Sequence, residues 1–315
     1  MPVIIFGELF ERIYKTYQMI KLTKIFFILT GLIISLPVHS NTIHSAPHFF
    51  NDTTRHWTLP PFPKSLSFSG ENVPFEKEDV KEYFDRNYTQ IYYQTGSLMN
   101  LMKQSARWFP LIEERLRAKG IPEDFKYVCV AESTLQNLIS KAGATGFWQF
   151  MSYTAPGYGL QMNSSVDERY NVLKATDAAC VYFKTAYDKF STWTAAAASF
   201  NCGMGRYNEQ ATFQQTKNYY DLYLPEETNN YIHRILSFKY IFENAKALGF
   251  EIEKERLFAP YNTKTLQVNY SINNLAQFAL NNGTTYKVLR ILNPWLRGRS
   301  LITAGKTYDI LLPAP

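Results

Sequence analysis

The sequence predicts a mainly α-helical protein, with an all-α domain over residues 77–250 and a small α+β module over residues 260–315. Three observations carry this reading. Apolar residues recur at three- and four-residue steps from Lys77 to Gly249. No convincing apolar–polar alternation stands before residue 260. Beyond it, two strand-like segments enclose two short helical stretches. The 315 residues are 46% apolar and 19% charged, which excludes a disordered polar chain and leaves room for a sizeable core.

The elements follow in order. Lys21 and Lys24 precede an apolar run from Ile25 to Leu36, and Val38-His39-Ser40 supplies a cleavage site before Asn41. Residues 1–40 therefore read as a leader with a signal peptide, Met19 being the expected start, and predict export to the periplasm or cell envelope. The run is short for a bilayer span of about 20 residues, and an uncleaved anchor is the competing reading. Four prolines between Pro47 and Pro63 mark residues 41–76 as an extended arm. Val80, Phe84, Tyr88 and Ile91 then lie on one helical stripe, and a short helix follows Pro110 and stops at Gly120. Ile121-Pro122-Glu123-Asp124 opens a helix whose stripe holds Phe125, Val128, Cys129, Glu132 and Leu135. Further helices are expected at residues 175–190, 193–200 and 230–248. In the tail, strands at TLQVNY and at 308–312 enclose helices at 272–281 and 285–293.

Charge narrows the partners. The formal net charge is +6, of which +2 belongs to residues 1–40, leaving +4 for the rest. That excess permits an anionic partner without requiring nucleic acid. Five scattered His residues and three Cys (Cys129, Cys180 and Cys202) have no metal-ligand spacing, so no metal site is expected, and the disulfide state stays open. The 50 aromatics, 22 of them Tyr, are the unusual feature.

The chemistry centres on Glu132. A carboxyl held against apolar neighbours loses hydration, which raises its pKa and suits it to general acid work. A Glu at a helix edge whose side chain escapes to water is the competing reading. Downstream, GATGFWQFM at residues 143–151 places Gln149 among aromatics on a glycine-containing loop, an arrangement suited to sugar rings.

Together with AES at Ala131 to Ser133, VDER at Val166 to Arg169, SFNCGMGR at 199–206 and LPEETNNYI at 224–232, the chain resembles bacterial lytic transglycosylases of the goose-lysozyme-like class, in particular the membrane-bound type D murein enzymes. The resemblance implies a lysozyme-like fold and no cofactor. It also implies cleavage of peptidoglycan strands between N-acetylmuramic acid and N-acetylglucosamine, with Glu132 as sole acid/base and a 1,6-anhydro product. It places Ser133 and Gln149 on the sugar, Asn201 beside the acid and Tyr231 along the cleft near Glu132. Phe147, Phe150 and Phe200 lie in the same blocks and are expected to line the sugar cleft. Asp167, Glu168 and Arg169 read as a structural cluster. Two positions depart from the family: Phe200 stands where Tyr is usual, and Cys202 where Ala is usual. The tail resembles a degenerate LysM module, through Leu275-Ala276, Leu289, Asn293 and the closing strand. Either glycan binding or a structural cap fits it. Peripheral membrane association belongs with the expected partners, and nothing sets the oligomeric state. A hydrolytic muramidase and a non-catalytic wall-binding or scaffold protein are the rival functions.

Overall fold

A computed structural model describes residues 58–314, so the expected leader and the first part of the arm lie outside the described residues. Residues 58–314 are mainly helical. Helices α1 (Glu78–Tyr92), α2 (Thr95–Ala118), α3 (Lys126–Ser133), α4 (Val172–Phe190), α5 (Trp193–Cys202), α6 (Met204–Phe213) and α7 (Glu226–Glu243) build the first domain. The apolar stripe of α1 buries Val80, Phe84, Tyr88 and Ile91, and Glu78 and Asp79 in its first turn complement the helix dipole. Helix α7 packs against both α1 and α3. Ala195 to Ala198 of α5 are fully buried, and these small side chains let α5 lie close to α4.

Three details differ from the sequence reading. Helix α2 runs unbroken through Pro110, where a new short helix was expected. Proline removes one backbone donor, but the neighbouring rings hold the axis in place. Trp108 packs on Phe147, and Phe109 packs on Tyr127 and Phe242. Helix α6 follows the Asn201 block, where no helix was foreseen. Before α1, a two-residue hairpin pairs β1 (Ser67–Phe68) with β2 (Glu71–Asn72). Phe68 is fully buried against Phe125, with ring centroids 5.2 Å apart. Glu71 accepts from the backbone N–H groups of Trp193 (2.6 Å) and Thr194 (2.9 Å), capping the start of α5.

The C-terminal module follows the expected order. Strand β3 (Thr263–Val268) pairs antiparallel with β4 (Tyr308–Pro313), in register from Thr263 opposite Pro313 to Val268 opposite Tyr308. Helices α8 (Leu275–Asn281) and α9 (Tyr286–Leu292) lie between them in sequence. Asn293 is fully buried and bridges α9 to β4: Nδ2 donates to Leu311 O (2.7 Å), and Oδ1 accepts from Leu311 N (2.8 Å). Val166 and Tyr170, from the first domain, belong to the apolar core of this module. The backbone continues the join, with Asp167 N–H donating to Trp295 O (2.9 Å) and Arg297 N–H to Ser165 O (2.8 Å). Among the described residues, no helix is long and apolar enough to cross a membrane.

Candidate functional site

Glu132 sits in the last turn of α3. The helix stops there because Thr134 and Leu135 both take left-handed backbone angles, with φ of 50° and 57°. Val128 and Cys129, one turn earlier, are fully buried, so the Glu132 side chain rises from an apolar floor. Glu132 as a whole residue is half-buried. From α7, the Tyr231 hydroxyl donates to Glu132 Oε1 at 2.5 Å. Burial is the dominant influence and pushes the carboxyl up to about 7, against the opposing pull of the Tyr231 hydrogen bond and the Arg234 charge. Glu227 adds a smaller upward push. A carboxyl in that range carries a proton for part of the time near neutrality, as a general acid requires.

Asn201, at the end of α5, joins this group through α7. Its Oδ1 accepts from Thr228 Oγ1 (3.0 Å), and its Nδ2 donates to Glu227 Oε1 (3.4 Å). Ser133 is buried, and its hydroxyl donates to Cys129 O at 3.3 Å, back along its own helix. Gln149 has a left-handed φ of 48°, and its Nε2 donates to Gly146 O (2.7 Å) and Leu138 O (3.2 Å). Its amide donors therefore brace the loop and leave Oε1 as the group able to face a ligand.

The aromatic residues are arranged differently from the sequence expectation. Phe147 and Phe150, expected to line the cleft, are 2% and 4% exposed. Phe147 meets Trp108 edge-on at 5.0 Å, and Phe150 packs on Tyr158 and Phe200. Their faces are spent on the protein itself: with Trp148 they anchor the loop to the core. Phe200 is half-buried against Phe183 (4.9 Å) and Tyr182 (5.0 Å). Cys129, Cys180 and Cys202 are free thiols.

Asp167 and Arg169 hold the Gln149 loop. Arg169 donates to both Asp167 oxygens (3.0 and 2.8 Å), and its Nη1 reaches Phe150 O (3.1 Å) and Gly143 O (3.3 Å). Sequence reasoning missed Arg234, whose guanidinium lies 5.7 Å from the Tyr231 ring centre. Its position one turn beyond Tyr231 on α7 was the available signal. Glu227 lies in the first turn of α7 and also touches Asn201.

Two protein families match parts of the chain. Residues 110–223 match the transglycosylase SLT domain family, and residues 264–315 match the soluble lytic transglycosylase C-terminal LysM-like domain. The chain thus carries an SLT transglycosylase domain followed by a LysM-like domain. Two curated relatives are both membrane-bound lytic murein transglycosylase D, from Escherichia coli strain K12 and from Escherichia coli O6:H1 strain CFT073. Each is 24% identical over 211 residues, covering 64% of this chain and 45% of the relative. The chain therefore matches somewhat less than half the length of these relatives.

Proposed function

We propose that the protein is a lytic transglycosylase acting on peptidoglycan glycan strands in the cell envelope, with Glu132 as its single acid/base. The carrying observation is the Glu132 carboxyl, hydrogen-bonded by Tyr231 and raised by burial to about 7. In its protonated form Glu132 gives its proton to the glycosidic oxygen between N-acetylmuramic acid and N-acetylglucosamine, and the anomeric C–O bond breaks. The substrate's own acetamido oxygen steadies the cationic carbon, so no second carboxylate is required; such substrate assistance is a known exception to two-carboxylate glycosidase chemistry. The Glu132 carboxylate then takes the proton of the muramoyl O6 hydroxyl as O6 closes on the anomeric carbon. The acid is restored and no water is consumed.

The neighbouring groups support the same reading. The Tyr231 hydroxyl stabilises the carboxylate formed midway, and Arg234 adds a distant positive charge. Ser133, Gln149 and Asn201 offer polar groups to the sugar, while the half-buried Phe200 borders them. Phe147 and Phe150 act by fixing the loop.

Wild type and Glu132→Gln incubated with purified sacculi test the proposal by product mass. Wild type should release muropeptides one water lighter than hydrolysed ones, and the variant should release essentially none. Muropeptides with only reducing ends would assign a hydrolytic muramidase. Equal release by both proteins would remove Glu132 from the mechanism, and no release by either would favour a wall-binding scaffold.

A further inference from the structure

Helix α7 packs against α1, α3 and α5, and its middle is almost closed to solvent. From Tyr231 to Ile241 each of its residues is buried or half-buried, with one exception: Arg234 is exposed. A long cation that reaches water from such a helix stands in a gap of the packing. That gap opens beside Glu132. Arg234 shares one face of α7 with Glu227 and Tyr231, because steps of four and three residues return to nearly the same direction. Its guanidinium lies 5.7 Å from the Tyr231 ring centre, and the Tyr231 hydroxyl donates to Glu132. Its charge is felt at both Glu132 and Tyr231.

This cation is also unspent. Among the described residues, Arg234 forms no ion pair. Lys239, further along the same helix, is held by Asp124 (2.7 Å) and Glu243 (2.8 Å). The two acids on the Arg234 face are engaged elsewhere. Glu132 accepts from Tyr231, and Glu227, about 10 Å back along the axis, accepts from Asn201.

We propose that Arg234 is a specificity-determining residue that recognises a carboxylate carried on O3 of the muramic acid at the cleavage point. The inference rests on the function proposed above, since it takes the glycan strand as the occupant of this cleft. The sugar rings of that strand are neutral. Its carboxylates hang from the lactyl group on O3, either as the lactyl carboxylate itself or on the stem peptide attached there. The planar guanidinium fork matches a carboxylate with two parallel hydrogen bonds. An N-acetylglucosamine polymer has no such group, so Arg234 selects for muramic acid next to the scissile bond.

Glu132→Gln protein, which should hold strands without cleaving them, is titrated by calorimetry with soluble glycan strands. The strands are used with and without stem peptide, each also with its carboxylates converted to neutral amides. Adding Arg234→Gln should weaken binding by about tenfold or more, the loss expected for a charged hydrogen-bond partner, and Arg234→Lys should weaken it less. Amidation should cost the same factor, and nothing further once Arg234 is replaced. Such coupling on stripped strands assigns the lactyl carboxylate, whereas coupling confined to peptide-bearing strands assigns the stem peptide. An Arg234 that only steers the charge of Glu132 would show no loss, because Glu132→Gln leaves no charge to steer. Unchanged affinity in a folded Arg234→Gln chain would therefore overturn the inference. Losses that multiply independently on both kinds of strand, or absence of saturable binding, would overturn it too. Turnover of sacculi by wild type is read separately. Anhydro products alongside any of these negative results would keep the proposed reaction and remove only the recognition by Arg234. An inactive wild type with the expected coupling would do the reverse.

Discussion

Glu132 couples stability to pH in a direction that can be worked out. Its carboxyl is raised from the ordinary glutamate range to about 7, chiefly by burial. Below the ordinary range, folded and unfolded chains both carry the proton, and the native contribution is intact. As pH rises through about 7 the folded chain must hold a charge on that apolar floor, and stability is lost. Glutamine has nearly the same shape, stays neutral and still accepts from Tyr231. Glu132→Gln should therefore be inactive yet more stable than wild type above about pH 7, by on the order of 3 kcal/mol. The gap should close towards about pH 4, and calorimetric melting across that range measures it. A pH-independent gap would mean that the carboxyl does not titrate in the folded site. At this scale the sequence was informative about Glu132, because an acid on an apolar stripe is visible in one helix. Arg234 could be placed beside Tyr231 by its spacing on one helix, but its effect on Glu132 was not legible, since that depends on two distant helices meeting.

At the scale of elements, regular periodicity made the helices readable, whereas contacts between motifs stayed hidden. GATGFWQFM and VDER look like separate blocks in the chain, yet Arg169 ties them through two loop carbonyls. The hairpin at 67–72 escaped notice because two-residue strands are too short to show alternation. The break expected at Pro110 failed because ring packing on either side outweighs one missing hydrogen bond. The two loop glycines provide a controlled comparison. A Cβ on Gly146, where φ is +86°, would stand 1.9 Å from the Arg169 carbonyl oxygen, whereas one on Gly143, at φ +87°, would meet open space. Both alanine variants incur the left-handed backbone penalty, of about 1 kcal/mol. Only Gly146→Ala must also push the loop off Arg169. It should lose at least about 2 kcal/mol more stability than Gly143→Ala and cut turnover at least about tenfold further. Chemical denaturation and sacculus digestion of the two variants read this difference. Equal losses would mean that the loop shifts freely and does not hold Gln149 in place.

Over the whole molecule, the order of helices and strands gave no hint of how firmly the last module is joined to the rest. A LysM-like module at the end of a chain suggests a bead on a string, but Val166 and Tyr170 complete its core from within the first domain. Asp167 stands at the crossing point of these connections. Its backbone N–H reaches Trp295 O in the module, while its carboxylate orients the Arg169 side chain that braces the Gln149 loop. Removing residues 260–315 would bare two buried apolar residues and strip the hydrogen bonds to Ser165 and Asp167. Each large apolar side chain returned to water costs roughly 1.5–3 kcal/mol, so the loss should be felt well inside the first domain. The shortened chain should melt markedly lower than the full one and cleave sacculi poorly, although every proposed catalytic group is still present. The full chain, in turn, should unfold in a single calorimetric transition because Val166 and Tyr170 of the first domain are built into the module's core. An independent, tethered module would instead give two transitions and leave the shortened chain as active as the parent on soluble glycan fragments. That outcome would reduce the Val166 junction to a resting contact and confine control of the Gln149 loop to the first domain.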